Sequence, residues 1–174
     1  MLQKVLLRLD LSQKRCRAKE VIFIRKCAQI FEKNKTFLDG LPIAVKDIID
    51  LQNYPTVSGS KTRLQNPPAT IDASVIKNLK AAGAIPVVKT QTVEFAIGGW
   101  GTNHTLGTPS NPWNIEMPHA PGGSSSGTGV LVGAGIVPAG LGTDTGGSIR
   151  IPASFCGCVG LKTSIGSVSR AGVT

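Results

Sequence analysis

The chain has 174 residues, of which 41% are hydrophobic and 17% are charged, a composition typical of a globular domain with an apolar core. It excludes a wholly disordered chain, and no apolar run reaches the roughly 18 residues that a membrane-spanning helix needs. The net charge of +9 permits a nucleic-acid partner, yet residues 1–35 carry ten basic and three acidic side chains, and so +7 of that charge. Between residues 98 and 149 only Glu116 and Asp144 are charged. The basic excess therefore predicts a solvated arm, with an RNA or acidic-partner contact as the alternative.

This arm comprises residues 1–36. Apolar residues recur in it at helical spacing and predict an amphipathic helix or helix pair: Val21, Ile24, Ala28 and Phe31. A mitochondrial presequence is a competing interpretation because the first residues bear Arg and few acids, although Asp10 and the lack of Ser enrichment argue against it.

The next segments alternate between strand and helix patterns. A buried strand is predicted at residues 41–46, and a helix is predicted from a cap at Asp72 to a stop at Gly83. A second strand at residues 84–88 completes a βαβ unit on a parallel or mixed sheet.

A Gly-, Asn-, Pro- and Ser-rich stretch from Gly98 to Gly123 is too long for a plain connection and predicts a functional loop. It is followed by a small-residue helix (Ser126 to Ile136), a strand (Val137 to Leu141) and a Gly-rich turn (Gly142 to Ser148). The whole pattern indicates an α/β fold.

The cysteines and histidines predict neither a disulfide scaffold nor a metal site. The four cysteines are too thinly spread for a disulfide scaffold, and the two histidines form no ligand spacing with them: Cys16, Cys27, Cys156, Cys158, His104 and His119. We expect no metal and a reducing compartment, the cytoplasm.

Two Gly-flanked serine loops, Gly122–Gly127 and Gly142–Ser148, carry the chemistry. Because glycine lets backbone N–H groups turn towards a ligand, such loops suit an anion or a developing oxyanion. Neither loop continues into the Lys-Ser/Thr of a phosphate loop or has the G-x-G-x-x-G spacing of a dinucleotide site. Acyl transfer is therefore favoured over nucleotide binding.

The common acyl-transfer arrangements fit poorly. Arg150 stands where a G-x-S-x-G elbow requires its second Gly, and the Ser-x-x-Lys at residues 58–61 lacks the accompanying motifs of penicillin-binding enzymes. A triad of Ser148, Asp144 and one of the two histidines stays open, although both histidines lie in loop-like sequence.

Three ordered motifs resemble the amidase signature family. They are GLPIAVKD at Gly40–Asp47, GGSSSG at Gly122–Gly127 and GTDTGGSIRIPA at Gly142–Ala153, and the flanks at residues 111–113 and 155–162 match as well. The resemblance covers roughly residues 38–172. It implies a mixed β-sheet core flanked by helices, and it implies no cofactor.

The resemblance also implies a Ser-Ser-Lys triad and a cis peptide bond entering the bridging serine. Ser148 matches the nucleophile, Ser124 the bridging serine and Lys46 the base, and the matching oxyanion-hole amides are those of Thr145, Gly146, Gly147 and Ser148. We expect Ser125, Asp144 and Arg150 to support this site through hydrogen bonds and charge pairing.

Lys46 must be uncharged to act as a base. Burial beside the apolar residues 43–45 lowers a lysine pKa, and strand alternation is expected to point Asp47 to the opposite face.

The expected function is hydrolysis of a small-molecule carboxamide through an acyl-serine, with no membrane partner. One alternative is a glutamyl-tRNA amidotransferase A-type subunit that works as a glutaminase, the only case in which a nucleic-acid partner is expected. Another is a catalytically inactive fragment. Because the family's enzymes continue past Thr174, we expect residues 37–174 to be the N-terminal part of the domain. A homodimer or a complementing C-terminal chain is the expected partner.

Overall fold

The computed structural model describes residues 38–114 and 116–174. The predicted basic arm at residues 1–36, its helix and the presequence alternative lie outside the described residues.

Three parallel strands form the central sheet in the order β2-β1-β3. They are β1 (Pro42–Lys46), β2 (Ile85–Thr90) and β3 (Ala139–Leu141). Every residue of β1 is buried, as expected for the central strand of a sheet covered on both faces. The predicted α/β arrangement is confirmed, and a parallel sheet places the carboxyl ends of its strands at one edge.

Helix α1 (Ser74–Ala81) covers one face of the sheet. Its Ile76 is wholly buried in a core shared with Val45 of β1 and the residues that follow β1: Ile48, Ile49 and Leu51. The predicted stop at Gly83 is confirmed, because its amide donates to Lys80 O at 3.0 Å just beyond the last turn.

The predicted cap at Asp72 is wrong. The cap position is Ala73, which has no side chain able to accept a hydrogen bond from the first turn. Asp72 instead accepts from the Gln52 amide at 2.8 Å and pairs with Lys80 at 2.6 Å. Its carboxylate therefore ties α1 to the preceding loop.

Helices α2 (Ser126–Gly133) and α3 (Arg150–Cys156) pack together, and α2 also contacts all three strands. Glycines make this approach possible. A Cβ at Gly129 would lie 2.9 Å from Pro152 Cβ, and one at Gly133 would lie 2.9 Å from Cys156 Cβ. Since real Cβ atoms do not come so close, both positions require glycine. The two glycines therefore allow α3, which follows the Gly-rich turn, to pack closely against α2.

The remaining predicted boundaries shift by a few residues. Helix α2 ends at Gly133 rather than Ile136, and β3 begins at Ala139 rather than Val137. The described residues between 98 and 123 form neither helix nor strand, as predicted, and Asn103 anchors them by donating to Gly59 O and Thr92 O at 2.7 and 2.9 Å. Short 3-10 turns occur at Lys61–Arg63 and Glu94–Ala96.

Within the residues described, no helix has both the length and the apolar character needed to cross a bilayer.

Candidate active site

Lys46 ends β1 and is wholly buried, with a relative exposure of 0%. Its Nζ donates to Ser124 Oγ at 2.7 Å and to Thr143 Oγ1 at 2.8 Å. Ser124 lies just before α2, and Thr143 lies two residues after β3. Because β1 and β3 are parallel, their carboxyl ends meet at the same edge, which brings Lys46 and Thr143 together.

Burial lowers the pKa of Lys46 from 10.5 to about 7, and the nearby carboxylate of Asp144 opposes this shift. A lysine in such surroundings is uncharged in a substantial fraction of molecules near neutral pH. It can therefore accept a proton, which an exposed lysine at the same pH does only rarely.

The Gly123–Ser124 peptide bond is cis, as the sequence resemblance implies. A Cβ at Gly123 would lie 2.7 Å from Gly101 N and 2.8 Å from Gly98 O, so only glycine fits beside the long loop. The Ser124 carbonyl accepts from Thr92 Oγ1 at 2.8 Å. These contacts fix the backbone that carries the Ser124 hydroxyl.

Ser148 lies two residues before α3 and is half-buried. Its carbonyl accepts from the Ser125 amide at 3.1 Å, which ties the Gly-rich turn to the segment carrying Ser124. Ser125 Oγ adds a second tie, because it donates to Thr143 O at 3.3 Å. Among residues 38–114 and 116–174, no hydrogen bond involves the Ser148 hydroxyl.

Asp144 organises the turn between Thr143 and α3. Arg150 donates from Nε to Oδ2 and from Nη2 to Oδ1, each at 3.0 Å, while the Ile149 amide donates to Oδ2 at 3.1 Å. Chiefly because of the Arg150 hydrogen bonds, the pKa of the Asp144 carboxyl is held well below its usual range. The carboxylate is thus ionised and paired.

The expected oxyanion-hole set needs one correction. The Gly147 amide donates to Asp144 Oδ1 at 2.7 Å, so it is engaged within the turn and is not free to bind a ligand. The amides of Thr145, Gly146 and Ser148 donate to no other group in the described part of the chain, and they remain as candidate donors.

The position of Asp47 agrees with strand alternation. Its Oδ1 lies 3.0 Å from Lys89 Nζ and its Oδ2 accepts from the Val57 amide at 3.2 Å. Lys89 Nζ also donates to Ile49 O at 2.6 Å. The carboxylate next in sequence to Lys46 is thus paired with a different lysine.

The alternative serine sites are not assembled. Both histidines are exposed, and the Asp144 carboxylate is bound by Arg150 and backbone amides rather than by an imidazole. Ser58 Oγ accepts from Arg63 Nη1 at 3.0 Å, while Lys61 is exposed. No three His, Cys, Asp or Glu side chains in the described ranges cluster as a metal site would require.

Sequence reasoning missed Thr143 as a site residue. It belongs to the third motif, and its position just after β3 could have placed it beside the end of β1. Cys156 is buried and Cys158 is half-buried, and both thiols are free.

The family model named Amidase matches residues 7–174 of the chain. The chain belongs to the Amidase family. This confirms the resemblance drawn from the three motifs, and it places Lys46, Ser124 and Ser148 within a family domain.

Several known proteins resemble this amidase-family chain. The A-type subunit of glutamyl-tRNA(Gln) amidotransferase from Chromohalobacter salexigens is 48% identical over 136 residues, which is 78% of this chain and 27% of that protein. The crystal structure of the corresponding protein from Thermotoga maritima superposes with a TM-score of 0.76 at 33% identity, over 99% of this chain and 40% of that one. The peptide amidase of Stenotrophomonas maltophilia gives a TM-score of 0.74 at 34% identity, over 89% and 32%.

The structural neighbours confirm the expected fold class. The chain spans less than a third of the length of the curated relatives it matches.

Proposed function

We propose that the protein is an amidase that hydrolyses a carboxamide C–N bond through an acyl-serine intermediate. Ser148 is the nucleophile, Ser124 is the bridging hydroxyl and Lys46 is the base. The observation that carries this proposal is the 2.7 Å separation between Ser124 Oγ and the Nζ of a lysine that is wholly buried.

The relay begins with uncharged Lys46, whose nitrogen has two N–H bonds and one lone pair. Thr143 Oγ1 accepts a hydrogen bond from one of these N–H groups, which leaves the lone pair able to face Ser124. Lys46 takes the proton of the Ser124 hydroxyl while Ser124 takes that of Ser148, and Ser148 Oγ attacks the amide carbonyl. A pKa of about 7 suits this role, because the base is then poised near the operating pH.

The attack places negative charge on the former carbonyl oxygen. The unengaged amides of Thr145, Gly146 and Ser148 are the candidate donors to that oxygen, and loss of one such donor in other enzymes costs about 2.7–4 kcal/mol in the transition state. The proton held by Lys46 returns through Ser124 to the amine as the C–N bond breaks. Water then cleaves the acyl-serine ester by the same relay.

The Asp144–Arg150 pair supports this chemistry from the turn. Arg150 compensates the carboxylate charge that otherwise favours the protonated form of Lys46. Asp144 holds the backbone that presents Ser148 by accepting from the Gly147 and Ile149 amides. Both residues act through their neighbours rather than on the substrate.

A second candidate is the glutaminase activity of an A-type amidotransferase subunit, which releases ammonia from glutamine within a complex acting on tRNA. The observation that favours it is the 46–48% identity to proteins of that name. The substrate is in either case a small amide. We take residues 37–174 as part of an amidase domain, and the free thiols of Cys156 and Cys158 suit the cytoplasm.

Covalent labelling tests the proposal. A fluorophosphonate probe should modify the wild-type protein at Ser148, and Ser148→Ala should abolish the adduct seen by intact mass spectrometry. Ser167→Ala, which removes an exposed serine elsewhere, should label as the wild type does. Labelling that persists in Ser148→Ala, or a wild-type protein that never labels, would refute the assignment.

Ammonia release separates the two candidates. Release from simple carboxamides without any added protein supports the amidase. Release from glutamine that depends on partner proteins supports the amidotransferase.

A further inference from the structure

The charged groups around Lys46 come in compensated pairs. Asp47 comes directly after Lys46, the last residue of β1, and forms an ion pair with Lys89 of β2. Asp144 follows β3 and forms an ion pair with Arg150. Helix α2, which packs on the sheet from the side of Lys46, has the sequence SGTGVLVG and contributes no charged side chain. The uncharged state of Lys46 therefore depends on how well each carboxylate is neutralised by its own partner.

The two faces of the sheet keep Lys46 and Lys89 apart. Lys46 lies opposite Thr90 in the β1–β2 register. Thr90 Oγ1 is hydrogen-bonded to Thr128 Oγ1 of α2 at 2.7 Å, so Lys46 and Thr90 both lie on the face of the sheet that α2 covers. Lys89 precedes Thr90 and therefore points to the α1 face, where Asp47 also lies.

Lys89 is held firmly in this position. Besides its ion pair with Asp47, its Nζ donates to Ile49 O at 2.6 Å and to Thr56 Oγ1 at 3.2 Å, and its side chain is only 14% exposed. Neither Ile49 O nor Thr56 Oγ1 carries a charge that Lys89 must neutralise. Its positive charge is therefore directed at Asp47.

We propose that Lys89 is a positioning residue: by pairing with Asp47 on the face of the sheet opposite Lys46, it prevents the Asp47 carboxylate from stabilising a positive charge on Lys46. This inference rests on the proposed function, because an uncharged Lys46 is the base of the relay. It assigns a role in catalysis to a partly buried ion pair that makes no contact with Ser124 or Ser148.

The sign of the effect follows from electrostatics. Removing the Lys89 charge leaves Asp47 uncompensated, which stabilises the protonated form of Lys46 and raises its pKa. Removing the Asp47 charge leaves Lys89 uncompensated, which lowers the pKa of Lys46. At an effective dielectric constant of about 20, an uncompensated unit charge on a neighbouring residue is expected to shift a pKa by about one unit.

The test is a pH titration of the Lys46 side chain by NMR of the full-length protein with 13C-labelled lysine, the resonance being assigned by its loss in Lys46→Gln. Lys89→Gln should raise the pKa of Lys46 by about one unit, and Asp47→Asn should lower it by a similar amount. The double variant should return it towards the wild-type value. The opposite signs separate charge compensation from general disruption of the fold, which moves both single variants in the same direction.

Lys80→Gln is the matched control, since it also breaks a lysine–aspartate pair but one that lies on α1. It should leave the titration of Lys46 unchanged. An unchanged Lys46 pKa in Lys89→Gln overturns the proposal, as does a double variant that titrates like Lys89→Gln. Asp47→Asn keeps the hydrogen bonds of Lys89 to Ile49 O and Thr56 Oγ1. If Lys89→Gln does not fold, the predicted decrease of the Lys46 pKa in Asp47→Asn still tests the proposal, and an unchanged Lys46 pKa in that variant overturns it. The readout is the titration of one side chain, so failure of amide hydrolysis does not alter it.

Discussion

Replacing Lys46 with methionine should remove activity and also make the protein more stable near neutral pH. The side chains are similar in length, but methionine has no charge to bury. Since burial lowers the Lys46 pKa from 10.5 to about 7, the lysine forfeits about 4–5 kcal/mol of unfolding free energy at and below neutral pH. Lys46→Met recovers this free energy only in part, because Ser124 and Thr143 lose their hydrogen-bond partner.

The pH dependence isolates the charge term. Between the two pKa values the unfolded chain binds the proton and the folded chain does not, so the stability of the wild type rises with pH in that window. From pH 7 to pH 9 the wild type should gain about 2 kcal/mol relative to Lys46→Met, and below pH 7 the difference should level off.

Denaturant unfolding at both pH values measures this difference, and Thr90→Val is the control. Thr90 is buried beside Lys46 on the same face of the sheet but does not titrate, so the variant should follow the wild-type pH dependence. A difference between wild type and Lys46→Met that stays constant from pH 7 to pH 9 would show that the pKa of Lys46 in the folded protein is not lowered to about 7.

Three further changes probe the site and its scaffold. Thr143→Val removes one acceptor from the buried lysine and should lower kcat about tenfold or more in steady-state assays, with little change in melting temperature; an equal loss through KM alone would argue against a positioning role. Gly133→Ala should destabilise the protein by about 1–3 kcal/mol in denaturant unfolding because its Cβ meets α3, whereas Gly99→Ala, whose nearest new neighbour lies at 3.5 Å, should change little. Arg150→Gln leaves Asp144 uncompensated and should move the pH–activity profile to higher pH; an unmoved profile with reduced activity would mean that the arginine only supports the turn.

The sequence predicted the fold well where patterns were local and long. Apolar spacing located β1 and α1, and Gly83 ended the helix as expected. The cap at Asp72 failed because a tertiary contact with Gln52 and Lys80 outweighed the local capping preference. Helix α3 was not predicted, since it is only seven residues long and its local signal was weak.

The site was predictable only in part for a similar reason. The motifs indicated which residue types belong to the site, but the contact of Lys46 with Thr143 depends on two parallel strands ending at one edge, which motif order does not specify. The hydrogen bond from the Gly147 amide to Asp144 depends on the backbone conformation of the turn that contains both residues. Neither feature follows from the spacing of residues along the chain.

The pH dependence of fluorophosphonate labelling at Ser148 tests most directly whether Lys46 activates this serine. The wild-type rate should rise with an apparent pKa near 7, as Lys46 loses its proton, and should fall to background in Lys46→Met. A rate that does not change through neutral pH, or that survives the loss of Lys46, would contradict the claim that a buried, uncharged lysine activates the serine.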